Sequence, residues 1–158
     1  MLFSEYRDFL RKDLWRYYGR CDTGCFARAF LTCPGFQHTF WMRTARYFGS
    51  KRGWTLPLYA VARFALNHYI VKYGIGIGHD TEIGGGLYIG HFGGIVIHSE
   101  SKIGTNCNVS HGVTVGITCG GRHPGVPVIG DRVYIGPGAK IIGGITIGND
   151  VAIGANCV

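Results

Sequence analysis

Aliphatic residues recur every six positions through the second half of this chain. Ile77, Ile83, Ile89 and Ile95 set the period; Ile97, Ile103, Val109 and Val115 repeat it after a slip of two, and Ile129, Ile135, Ile141, Ile147 and Ile153 resume it. Neither an α-helix, with about 3.6 residues per turn, nor an ordinary strand, with about two, produces such a repeat. It predicts a mainly β fold, a parallel β-helix, in which tight turns join short strands, each strand buries one aliphatic residue on one side of a prism, and three hexads make a coil. Many of these residues precede glycine, as in Ile83-Gly84, Ile103-Gly104 and Ile135-Gly136, which suits turns where a side chain would be strained. Residues 77 to 158, less the slip and one insertion, leave about 72 residues, or roughly four coils. The chain stops inside a hexad at Val158, so the last coil is expected to lack the extension that commonly caps a solenoid.

The first half is built differently. Of the 27 glycines, 22 follow residue 73, and the charge divides at the same place: residues 1 to 73 hold 12 Lys/Arg against 4 Asp/Glu, residues 74 to 158 hold 4 against 5. The boundary is therefore expected at Tyr73–Gly74, dividing a helical segment, 1–73, from a β-helix, 74–158. Apolar residues at three-to-four spacing predict a helix over 4 to 19, with Ser4 as its cap and Gly19 as its stop. A second is predicted from Pro34 to about Phe48. A third runs from Thr55 to Tyr73, with Pro57 in its first turn and Gly74 ending it.

The basic head could meet nucleic acid or anionic lipid, but its cations are scattered and Lys51-Arg52 is their longest run, so a solvated helix surface and no nucleic-acid partner are expected. The N-terminus lacks the basic-then-apolar order of a signal peptide, and no apolar run reaches membrane-spanning length without a charge. A cytoplasmic protein with six thiols is the expectation. Cys21, Cys25, Cys33 and His38 match no common zinc spacing, and no metal is expected.

Between Val115 and Ile129 the 14-residue gap exceeds two hexads by two, which predicts a projecting loop over 116–128 carrying Arg122-His123-Pro124. His79, His91 and His111 each lie two after an aliphatic position and should point outward. From His91 to His111 is 20 residues; less the slip this is one coil, so the two imidazoles should stack one rung apart. Imidazoles beside a loop suit general base catalysis, which contributes roughly 10²–10⁴-fold. The plain alternative is histidines tolerated on a solvated strand, and that is the reading for His79, His98, His38 and His68. The paired glycines precede no helix and form no nucleotide fingerprint, and Ser99, Ser101 and Ser110 lack a nucleophile elbow.

Nearly the whole chain resembles the serine acetyltransferases, a family of hexapeptide-repeat, left-handed β-helix acetyltransferases. The resemblance is carried by Arg11-Lys12-Asp13-Leu14, Arg20-Cys21-Asp22, Pro34-Gly35-Phe36-Gln37 and Arg43-Thr44-Ala45-Arg46 in the head. In the tail it is carried by Ile89-Gly90-His91, Gly112-Val113-Thr114-Val115-Gly116, Arg122-His123-Pro124 and Ile135-Gly136-Pro137-Gly138-Ala139-Lys140. It implies attack of an acceptor hydroxyl, L-serine by family default, on acetyl-CoA, at sites between the subunits of a homotrimer. It also implies His91 as general base, His123 and Arg122 as acceptor-binding residues and Asp22 as the acid that meets the acceptor amine; by the one-coil register His111 stands beside that base. Gly116, Thr118, Gly136 and Pro137 would line the pantetheine groove. Where typical members have Asp-His this chain has Gly90-His91, which removes the carboxylate that supports the imidazole. Tyr88-Ile89-Gly90-His91-Phe92-Gly93-Gly94 looks more like related proteins of surface polysaccharide synthesis, so a sugar hydroxyl is the rival acceptor. A scaffold without catalysis is the alternative from another class.

Overall fold

The structure, a computed structural model, describes residues 1–51 and 53–158; Arg52, the second cation of the Lys51-Arg52 pair, lies outside them. Among the described residues four helices open the chain: α1 (Phe3–Tyr18), α2 (Thr23–Thr32), α3 (Pro34–Gly49) and α4 (Leu56–Tyr73). The expected cap Ser4 lies inside the first turn of α1; Glu5 reaches back instead and accepts from the Leu2 N–H at 2.6 Å. Gly19 and Gly74 end α1 and α4 with φ of 64° and 61°, the left-handed conformation that closes a helix. Helix α2 was not expected. Asp22 starts it, accepting from the Cys25 N–H at 2.8 Å.

Among the described residues eleven short strands follow: β1 (Ile75–Ile77), β2 (Glu82–Ile83), β3 (Ile95–Ile97), β4 (Lys102–Ile103), β5 (Asn108–Val109), β6 (Thr114–Gly116), β7 (Val128–Ile129), β8 (Tyr134–Ile135), β9 (Lys140–Ile142), β10 (Thr146–Ile147) and β11 (Ala152–Ile153). They pair in parallel into three faces. The first stacks β1-β3-β6-β9, the second β2-β4-β7-β10 and the third β5-β8-β11, with Tyr88 adding a bridge to Asn108. The result is a left-handed parallel β-helix of four rungs. Inward residues of the earlier coils, among them Ile77, Ile97, Val115, Ile83, Ile129, Val109 and Ile135, are less than 5% exposed, while Ile147 and Ile153 of the last coil are partly buried. Each of the fully buried ones contributes roughly 1.5–3 kcal/mol by leaving water.

The register corrects the expected size of the insertion. Ile97 pairs with Val115, eighteen residues on, whereas Val115 pairs with Ile141, twenty-six residues on. The loop is therefore eight residues beyond one hexad, not two beyond two. The smaller slip is confirmed, with Ile75 opposite Ile95, twenty residues on.

Met42 and Ala45 of α3 and Ala62 and Leu66 of α4 join the aliphatic core of the β-helix, so the helices close its first coil. A fully buried ion pair fixes them there. Arg43 donates to Asp13 at 3.1 Å and to the Gly84 carbonyl at 2.6 Å, while Asp13 accepts from the N–H groups of Gly86 and Leu87 at 2.8 and 2.9 Å. His79 points outward from the prism as expected, but it is buried rather than solvated, because Tyr59 and Arg63 of α4 lie over it. Arg63 donates to His79 Nδ1 at 2.6 Å, so Nε2 carries the proton and faces the Tyr59 hydroxyl at 3.0 Å and Asp80 at 3.1 Å. No helix among the described residues is long and apolar enough to cross a membrane.

Candidate active site

Each coil turns a corner between the third face and the first, and the residue two after the inward aliphatic of the third-face hexad sits on that corner. Because Tyr88 pairs with Asn108 and Val109 with Ile135, the residues in column there are His91, His111 and Pro137. Backbone bonds hold the column: Gly112 N–H donates to Gly93 O at 2.8 Å and Gly138 N–H to His111 O at 3.0 Å. The turn after His111 needs Gly112 at φ 71°, and a Cβ there would come within 3.3 Å of the Gly138 backbone.

The two imidazoles meet edge to face, with ring centroids 6.1 Å apart and planes at 88°. Both are exposed, and among the described residues no side chain makes a hydrogen bond to either ring. His91 opens on a groove of about 200 Å³ lined by Tyr88, Gly90, Asn108, Val109, Ser110 and Tyr134. The groove is held from behind by the head. The Tyr17 hydroxyl donates to Ile89 O at 3.2 Å and accepts from Ile89 N–H at 3.3 Å, and its ring lies 4.8 Å from that of Tyr88. Burial pushes the Tyr17 phenol far above its ordinary value, so it stays a neutral hydroxyl. Gly35, at the start of α3, lets that helix touch the same rung, since a Cβ there would stand 2.2 Å from Ile89 O. Arg16 binds Asn108 and, at 2.7 Å, the Asn106 carbonyl.

Gly90 is explained by its neighbour. A Cβ on Gly90 would stand 2.9 Å from the Tyr88 ring and 3.1 Å from its hydroxyl, so Tyr88 fills the space of any side chain at position 90.

The loop leaves the first face at its opposite edge, after β6. Thr118 and Gly125 form an antiparallel bridge at its neck, with N–H···O distances of 3.0 and 2.8 Å, and Gly144 N–H donates to His123 O at 2.9 Å. Arg122 and His123 stand exposed at the tip, and neither side chain has a hydrogen-bond partner among the described residues. The expectation that this loop lies beside the histidine pair needs correcting: within one chain the width of the first face separates them. The other expected positions divide likewise. Pro137 and Gly136 sit on the histidine corner, Gly116 and Thr118 at the root of the loop. Asp22 joins neither group; its carboxylate caps α2 and lies 3.6 Å from Arg20, in a surface pocket with Arg7, Arg11 and Phe26.

Tyr17, Tyr88 and Gly35 are site-shaping residues that the sequence alone does not single out. The sequence motifs contain two of them, Gly35 in Pro34-Gly35-Phe36 and Tyr88 in the stretch Tyr88 to Gly94, without giving either a role. The six cysteines are free, and the described residues hold no cluster of three or more metal-ligating side chains.

Comparison with known proteins bears on this geometry. Residues 127–158 match the family model described as bacterial transferase hexapeptide (six repeats). Over 88 residues the chain is 47% identical to a serine acetyltransferase of Helicobacter pylori, covering 54% of this chain and 50% of that protein. The crystal structure of serine acetyltransferase isoform 3 from Entamoeba histolytica in complex with cysteine superposes on 99% of this chain and 54% of that one. Its TM-score is 0.76 at 32% identity. The serine acetyltransferase of Brucella abortus strain S19 in complex with coenzyme A gives a TM-score of 0.78 at 27% identity, over 99% of this chain and 61% of that one. The chain spans about half the length of the curated relatives it matches.

Proposed function

This chain belongs to the serine acetyltransferase-like family of hexapeptide-repeat transferases, and on that premise we propose that it moves the acetyl group of acetyl-CoA onto an acceptor hydroxyl. The carrying observation is the His91–His111 pair: two exposed imidazoles, edge to face at 6.1 Å, over a groove fixed from behind by Tyr17 and Gly35. His91 takes the proton of the acceptor hydroxyl as its oxygen attacks the thioester carbonyl. The new C–O bond forms, the C–S bond breaks, and the imidazolium returns its proton to the departing thiolate. His111 packs against His91 and fixes its ring.

The family relatives support the rest of the reading. Coenzyme A is bound by the Brucella relative, and Gly136 and Pro137 with Gly116 and Thr118 offer walls without bulky side chains for its pantetheine arm. Because these positions lie on two corners of one face, the site is completed when the histidine corner of one copy meets the loop of the next, in a homotrimer. Arg122, whose guanidinium forks onto carboxylates, and His123 then hold the acceptor from across the interface. Asp22, committed to its helix cap, is not needed for this. Residues 1–73 act as the cap and 74–158 as the transferase unit, in the cytoplasm where acetyl-CoA is made.

L-Serine is the acceptor by family precedent. The Tyr88–Gly90 arrangement favours a second reading, a sugar hydroxyl, because it puts two aromatic walls, Tyr88 and Tyr134, and no carboxylate beside His91. The deciding experiment measures CoA release with L-serine and with a panel of sugars and nucleotide sugars. Turnover is expected with at least one of them and should fall about 10²–10⁴-fold in His91→Ala. Unchanged turnover in that variant removes His91 as the base, and no binding of CoA at millimolar concentration would leave a scaffold.

A further inference from the structure

From Thr23 through His79 the chain contains no aspartate or glutamate, while seven Lys/Arg fall in the same span. Helix α4 lies inside it and is apolar on two sides. Ala62 and Leu66 face the core, at 1% exposure each. On the opposite side Pro57, Val61, Phe64 and Val71, spaced by three, four and seven, stand in solvent, with Val61 at 60%, Phe64 at 79% and Val71 at 84%. Trp54, 84% exposed, extends the stripe beyond the first turn. A helix apolar all round is normally covered on all sides, and a contiguous exposed apolar face marks an interaction surface.

The charges at its ends say what covers it. Lys51 lies before the stripe and Lys72 at its far end; both are exposed, and their ammonium groups rest on aromatic rings, Lys51 on Tyr47 at 5.5 Å and Lys72 on Tyr73 at 5.1 Å. The nearest acid after the span, Asp80, is engaged with His79. A second copy would set this acid-free basic surface against itself. We propose that α4 docks this protein on an anionic lipid surface. Its apolar stripe lies among the upper acyl chains, Trp54 sits at the headgroup level, and Lys51 and Lys72 reach the phosphates. The helix lies in the plane of the interface: its 18 residues mix Arg63, Asn67, His68 and Lys72 into the apolar sequence, and it does not qualify as a span.

The test uses the full chain and sedimentation with vesicles of phosphatidylcholine, with or without about 30% phosphatidylglycerol. Binding to the anionic vesicles is expected, about tenfold weaker on phosphatidylcholine alone and about tenfold weaker again in Val61→Glu/Phe64→Glu. Both substitutions are on exposed positions, so the circular dichroism spectrum, the thermal midpoint and CoA release with a soluble acceptor should not change. Equal binding by the double variant overturns the proposal, as does absence of wild-type binding to the anionic vesicles. Self-association that the double variant abolishes, without vesicle binding, would assign the face to a second copy and overturn it too.

Discussion

Two residues show how single side chains set what this site can do. Gly90 stands where the resemblance to serine acetyltransferases implies aspartate, and in this chain the Tyr88 ring occupies the space, 2.9 Å from where a Cβ would sit. Tyr88 is itself held by Tyr17 and by the Arg16 guanidinium, 5.9 Å from its centroid, so it does not swing away freely. Gly90→Asp alone is therefore expected to give no gain in CoA release with L-serine, whereas Gly90→Asp/Tyr88→Ser makes room for the carboxylate and should raise it above the single variant. A single variant that already outperforms the parent would show that Tyr88 does not guard the position. Arg43 works at a distance from the chemistry. It neutralises Asp13, which holds the N–H groups of Gly86 and Leu87 immediately before the Tyr88–His91 turn. Arg43→Met leaves a buried carboxylate without its cation and should cost about 3–5 kcal/mol of unfolding free energy, read by urea denaturation. A loss below about 1 kcal/mol would mean that water reaches the pair.

At the scale of elements, the loop is an eight-residue addition to an ordinary coil, and this gives a clean separation of fold from function. Deleting residues 118–125, from one side of the Thr118–Gly125 bridge to the other, returns the spacing between β6 and β9 from twenty-six to the eighteen residues that join β3 and β6. The shortened chain should keep its β-rich circular dichroism and a thermal midpoint within about 5 °C of the parent, since closing a shorter loop costs little entropy. It should lose CoA release because Arg122 and His123 are gone; retained turnover would take the loop out of the site. The element scale also shows where the sequence is legible. α1, α3 and α4 can be read because apolar residues at helical spacing lie between capping or proline starts and glycine stops, and the six-residue period dictates the strands. α2 is only ten residues long and begins Thr23-Gly24; its one signal, Asp22, fits a substrate-binding acid equally well. The stacking of His91 on His111 follows from counting one coil. The burial of His79 does not, because its cover, Tyr59 and Arg63, comes from another element. The position of the loop is hidden for a similar reason: a 14-residue gap can be one hexad plus eight or two plus two, and only strand pairing decides.

The molecule as a whole joins a helical cap to a prism through buried histidines, which makes its stability depend on pH. His38 is wholly buried, and burial pushes its pKa down to about 4 from an ordinary 6.5, partly offset by the backbone at Ile77 and Ile75. His79 is lowered too, by burial first, with Asp80 opposing and Arg63 and Arg46 assisting. As pH falls through 6.5 the unfolded chain takes up these protons while the folded chain resists both, His38 down to about pH 4, so stability is lost on acidification across that window. For His38 the loss amounts to about 3 kcal/mol by about pH 4. Urea unfolding followed from about pH 7 to about pH 4 should show it, and His38→Leu should remove that part of the slope; an unchanged slope would mean that the ring protonates in place. Assembly is the second property of the whole. The histidine corner and the Arg122-His123 tip stand at opposite edges of one face, and in the homotrimer proposed above a closed ring of three copies would join each corner to a neighbour's loop. This arrangement predicts complementation. His91→Ala and Arg122→Ala/His123→Ala should each be inactive alone, but after the two are unfolded together and refolded in equal amounts, an interface is intact whenever the loop variant supplies the histidine and the His91 variant supplies the loop. Random mixing makes about a quarter of the interfaces whole, so CoA release should return to about a quarter of the parental value. Mixtures as inactive as their components would place base and loop in the same chain, and the half-site geometry would then have to close by movement of the loop across the face.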